Sequence, residues 1–143
     1  MLISRTKYLQ RAGSIVMLYV LLSMAGCDLC GNTPISEIPS PSRQVKVIVF
    51  NRDCGATTDF VTHVSIVAIG HGSDDAGNTF IADADHGNAP RGKEGGPVLL
   101  VHWIDTHTLE IRYHPKTRIY KQERRENGVT VRYVADSTLD RGA

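Results

Sequence analysis

The sequence predicts an all-β domain: a small antiparallel sandwich, open barrel or twisted sheet of about seven strands. Three observations carry this. From Val45 onward, short runs rich in β-branched and aromatic residues alternate with clusters of Gly, Asn, Asp and Pro. Within one run Leu109, Ile111 and Tyr113 alternate with Glu110, Arg112 and His114, a period of two that leaves one face wet. Beyond the N-terminal apolar run, no stripe of apolar residues recurs at helical spacing.

The elements follow in order. Val45–Asp53 (VKVIVFNRD) is nearly all β-formers at its centre, and Phe60–Ile69 (FVTHVSIVAI) places Val64, Ile66 and Ala68 on one face. Thr79–Asp85 is a shorter third strand. Val98–Asp105 turns at Thr106-His107 into Thr108–His114. The last pair sets Arg118–Arg124 against Val129–Ala135, with Val129, Val131 and Tyr133 on one face and Thr130 and Arg132 on the other. Between them stands Asn127-Gly128, whose residues tolerate the positive φ of a tight hairpin. Residues 45–136 are thus the expected β domain, and 137–143 a disordered tail.

The N-terminus is of another kind. MLISRTKYLQR is basic, and the apolar run Ala12–Gly26 that follows is too short for an ordinary spanning helix but suits a signal-peptide core. Leu22-Ser23-Met24-Ala25-Gly26-Cys27 resembles the lipobox of bacterial lipoproteins, with Met24 where Leu is usual. The resemblance implies removal of residues 1–26 and acylation of Cys27 by diacylglycerol and palmitate-class chains. It also implies a lipid anchor in the cell envelope; several chains on one Cys hold a domain stably where one does not. Asp28 resembles the signal that retains such proteins at the inner membrane, which favours its periplasmic face over the outer membrane. A short uncleaved anchor helix and an ordinary secretory signal are the alternatives. Residues 27–44, with Pro34, Pro39 and Pro41 among serines, read as a flexible tether.

Net charge narrows the function. Sixteen Lys and Arg against fifteen Asp and Glu give +1, and Arg5, Lys7 and Arg11 all precede Cys27, so the remainder is slightly acidic and no nucleic-acid partner is expected. The sequence has no P-loop, no G-x-G-x-x-G, no H-E-x-x-H and no paired C-x-x-C zinc pattern.

Asn51–Asp59 is the most distinctive stretch. It resembles a Cys-Gly-Ala-Thr-Thr segment in small uncharacterised bacterial proteins, a likeness that implies no activity. Cys54 has three readings. Acylation of Cys27 would leave Cys30 and Cys54 as the two remaining thiols, and an oxidising envelope favours their pairing, for about 3 kcal/mol of loop-closure stabilisation. Alternatively Cys54 is a buried free thiol, or a nucleophile activated by His63.

A metal-binding reading rests on Asp83, Asp85 and Glu94, which fall at positions 1, 3 and 12 of a calcium loop, with Asp74 and Asp75 as further oxygen donors. Gly87 and Asn88 stand in the wrong order, Pro90 interrupts, and no flanking helices are expected. No metal or cofactor is therefore assigned. His102, His107 and His114 lack the paired spacing of a zinc site. The Gly-rich stretches at 71–78 and 87–96 read as loops available for recognition, with Arg91 and Lys93 as contacts for an anionic partner. The expectation is a noncatalytic binding or structural accessory, held at a membrane and meeting another envelope protein through strand edges or these loops. A thiol enzyme using Cys54 and a calcium-dependent binding module are the alternatives.

Overall fold

A computed structural model describes residues 30–55, 59–73 and 75–140. Among them the chain forms nine strands and no α-helix: β1 Gly31–Pro39, β2 Val45–Asp53, β3 Val61–Ala68, β4 Phe80–Asp83, β5 Leu99–Trp103, β6 Thr108–Tyr113, β7 Arg118–Gln122, β8 Arg125–Glu126 and β9 Val129–Ala135. They make two sheets, ordered β1-β2-β3-β4-β7 and β5-β6-β9-β8. All pairings are antiparallel except β6 with β9, which run parallel. The all-β expectation holds, as an open sandwich and not a barrel.

The core is what period-two alternation delivers. Val47 and Val49 of β2, Val64 and Ile66 of β3 and Phe80 and Ala82 of β4 meet Leu109 and Ile111 of β6 and Val129 and Val131 of β9. Each is almost wholly removed from water. The rings of Tyr113 and Tyr133 lie against Phe80, both 5.7 Å away between centroids.

Three expectations need correction. Residues 31–39 of the expected tether are strand β1, paired along β2 from Gly31 opposite Asp53 to Pro39 opposite Lys46. Pro34 and Pro39 are compatible with this because β1 is an edge strand, where one side of the ladder needs no donors. The bulge between Pro34 and Ser36 absorbs the irregularity. Second, Arg118–Arg124 does not form a long hairpin with Val129–Ala135: β7 joins β4 in the other sheet, and only two-residue β8 pairs with β9. The hairpin turn itself forms as expected, with Asn127 and Gly128 at φ 47 and 78. Third, the tail is ordered through residue 140. Asp136 Oδ1 accepts from the N–H and hydroxyl of Thr138, and Leu139 is buried.

The first Gly-rich loop roofs the outer face of the five-stranded sheet. Asn32 Nδ2 donates to the Ser73 carbonyl, and the Gly77 N–H donates to His63 Nδ1 at 2.8 Å. Asn78 continues the ladder that β4 leaves short: its Oδ1 accepts the Ile66 N–H and its Nδ2 donates to the Ile66 carbonyl. Phe50 and Ile48, directed outward by strand alternation, are buried nonetheless. The second Gly-rich loop closes one end of the core. Asn51 Nδ2 donates to the Glu94 carbonyl at 2.6 Å while its Oδ1 accepts from Thr62. Loops read as recognition elements are engaged in holding the sandwich together.

Candidate functional site

Among the described residues, the outer face of the four-stranded sheet has no comparable roof. Across it runs a row fixed by register: His102 on β5 opposite Glu110 on β6, and Glu110 opposite Arg132 on β9. Sequence alternation assigns Glu110 to the wet side, yet its side chain is only 1% exposed. What covers it is cationic. Arg112 Nε donates to Oε1 at 2.6 Å, Arg132 Nε donates to Oε2 at 2.6 Å, and Arg132 Nη2 adds a second, shorter bond. His102 Nε2 stands 3.6 Å from Oε1. Arg112 also reaches Asp136.

The hydrogen bond from Arg112, then that from Arg132, holds the Glu110 carboxyl below the usual carboxylate range despite desolvation. A carboxylate so held is a poor general base, and its oxygens are occupied. Its effect is to fix two planar guanidiniums side by side, a geometry suited to polar and anionic groups of a partner. Arg132 is 59% and Arg112 39% exposed, with Leu100 open beside them. Sequence reasoning missed this cluster. The available signal was Arg112 two residues from Glu110 on one face of a strand; Arg132 comes beside them only through the parallel β6–β9 pairing.

The residues singled out from sequence are elsewhere and otherwise engaged. Cys54 is joined to Cys30 in a disulfide, so its sulfur is no thiolate. Cys27 and residues 56–58 of the Cys-Gly-Ala-Thr-Thr run lie outside the described residues, as does Asp74. His63 stacks on Phe50 at 5.3 Å, and burial, then the charge of Arg52, pushes its pKa down to about 4. It is a neutral, buried acceptor for Gly77, not the partner of a nucleophile.

Asp83 is the centre of a second ion-pair cluster. Arg118 Nη2 and the Tyr120 hydroxyl donate to Oδ2, Arg118 Nε and the Asp85 N–H to Oδ1. Burial pushes this carboxyl up, but the bonds from Arg118, Tyr120 and Asp85 outweigh it and leave it low. Asp85 is paired with Arg118 as well. A guanidinium thus stands where the calcium reading would place its ion, and Glu94 contributes its backbone carbonyl to Asn51 instead. Among the described residues no three His, Cys, Asp or Glu side chains converge. Arg91, read as a partner contact, pairs with Asp59 at 2.9 Å, while Lys93 is exposed.

No protein family matches the chain, and no curated protein or solved structure matches it either.

Proposed function

We propose that the protein is a membrane-anchored envelope lipoprotein, acylated at Cys27, whose β-sandwich is a noncatalytic binding or structural accessory. The observation that carries the reading is the Cys30–Cys54 disulfide. Such bridges persist in oxidising compartments, which agrees with export by a lipobox-type signal. The bridge also occupies the sulfur that a thiol enzyme would need. A partner in the envelope would meet the open face of the four-stranded sheet, where Arg112 and Arg132 are held over Glu110, since both Gly-rich loops are folded inward.

The test is intact mass spectrometry of the membrane-extracted protein, with thiols alkylated before and after reduction. The expected species begins at Cys27, carries lipid, and exposes Cys30 and Cys54 only after reduction. A mass beginning at Met1 overturns the anchor, and free alkylation of Cys54 returns the thiol-enzyme reading.

A further inference from the structure

We infer that the disulfide-bearing end of the sandwich rests directly on a phospholipid surface. The inference builds on the lipid anchor proposed above. Because β1 starts at Gly31 and Cys30 is bonded to Cys54, an acyl chain on Cys27 leaves three Cα–Cα steps, at most about 11 Å, before the folded domain. A domain on so short a leash cannot stand off from the bilayer, and its orientation is set by which end holds Cys30.

That end is fixed by register. Asn32, Arg52, Val61, Asp83 and Arg118 form one row across all five strands of the first sheet, next to the disulfide. Gathered there are two of the molecule's exposed aromatic side chains, Phe60 at 49% and Tyr120 at 57% exposure. Aromatic rings of this kind favour the headgroup region. In the Arg91–Asp59 and Arg118–Asp83 pairs at this end the acid is the sheltered member, Asp59 11% exposed under Arg91 at 36% and Asp83 2% under Arg118 at 38%, whereas Asp85, also paired with Arg118, is 33% exposed. Lys93 and Lys116 are exposed there too, against the exposed acids Asp53, Glu94 and Asp140. The outward charges at this end thus balance, and the short leash and the aromatic rings, not net charge, carry the contact.

Trp103, the single tryptophan, reports on the opposite end. Its Nε1–H donates to the Ile38 carbonyl, eight residues along β1 from Cys30, about 26 Å by strand rise. The experiment reconstitutes the acylated full chain in phosphatidylcholine–phosphatidylglycerol vesicles whose acyl chains are brominated. In the parent, Trp103 emission is expected to match that in unbrominated vesicles. Phe60→Trp is expected to add emission that the brominated lipid quenches, and Tyr120→Trp serves as the second reporter should the first variant misfold. Reporters unquenched, or quenched no more than Trp103, on chains whose mass shows acylated Cys27 overturn the inference and leave the anchor standing. Chains lacking acyl mass at Cys27 overturn the anchor itself, and the inference with it.

Discussion

Asn127 Nδ2 donates to the Ile66 carbonyl at 2.7 Å, so the turn of the smallest hairpin in one sheet is bonded to the central strand of the other. Ile66 is fully buried, and its carbonyl also serves Asn78. Asn127 therefore has two functions: it accepts the left-handed backbone at φ 47 that the turn requires, and it clasps the sheets together.

These two functions separate by substitution. Asn127→Gly keeps the backbone freedom and loses the bond, and is expected to cost about 1 kcal/mol. Asn127→Ala adds the left-handed penalty, about another 1 kcal/mol. Urea unfolding of the two variants checks the order; equal midpoints would show that the backbone term is absent.

Gly96 is the tightest position in the second loop. A Cβ there would stand 2.0 Å from Thr62 Oγ1 and 3.0 Å from Asn51 Oδ1, inside the buried pair that ties the loop to β2 and β3. Gly96→Ala is expected to destabilise by about 2–4 kcal/mol through overpacking and loss of that pair. Gly92→Ala, with nothing nearer than 3.9 Å, is the control and is expected to be near neutral. Both are read from denaturant midpoints.

His63 gives stability a pH dependence of definite sign. Its Nδ1 accepts the Gly77 N–H, so protonation removes an acceptor from a buried ring. With the folded pKa near 4 and the unfolded value at 6.5, the unfolded chain binds the proton first as pH falls. Stability is full above about 6.5, declines toward about 4, and is level in this respect below; the loss is about 3 kcal/mol, from roughly 1.4 kcal/mol per pKa unit. His63→Gln retains an acceptor and cannot titrate. Its melting temperature is expected to stay flat across that window where the parent's falls.

Glu110→Gln tests the open face. Removing the charge leaves Arg112 and Arg132 side by side without their carboxylate, so the variant is expected to melt lower. Added salt should narrow the gap, since these side chains border water. A gap indifferent to salt would mean that packing and not charge holds the cluster.

Much of the fold was legible in the sequence because burial on alternate positions leaves a period-two trace: β2, β3, β6 and β9 lie close to where that trace puts them. β1 was not legible. Its two prolines and Ser36 resemble a linker, and only pairing along β2 makes it a strand. The placement of β7 was hidden too, since Asn127-Gly128 signals a hairpin without limiting its length, and two residues of β8 satisfy it. The Glu110 cluster was missed for a related reason. Alternation assigns a residue to a face, but it does not say that neighbouring arginines will fold over and cover it. The cysteine pair was named as one option among three because spacing alone does not bring two thiols together; β1 lying along β2 does.

The interleaving of the two sheets bears on how the chain is made. The five-stranded sheet is completed by β7, after two strands of the other sheet, β5 and β6, have been laid out, and the four-stranded sheet is completed by β9. Neither sheet is a contiguous piece of chain. A polypeptide threaded N-terminus first through a translocation pore would have its first strands outside while the strand that closes their sheet was still on the other side. Its exposed β4 edge would wait for Arg118–Gln122, and its half-covered core for Val129–Ala135. If the chain is exported as proposed, completion of the sandwich would belong to the last moments of passage, and a chain cut short before residue 118 would reach the far side with neither the β4 edge nor the core closed.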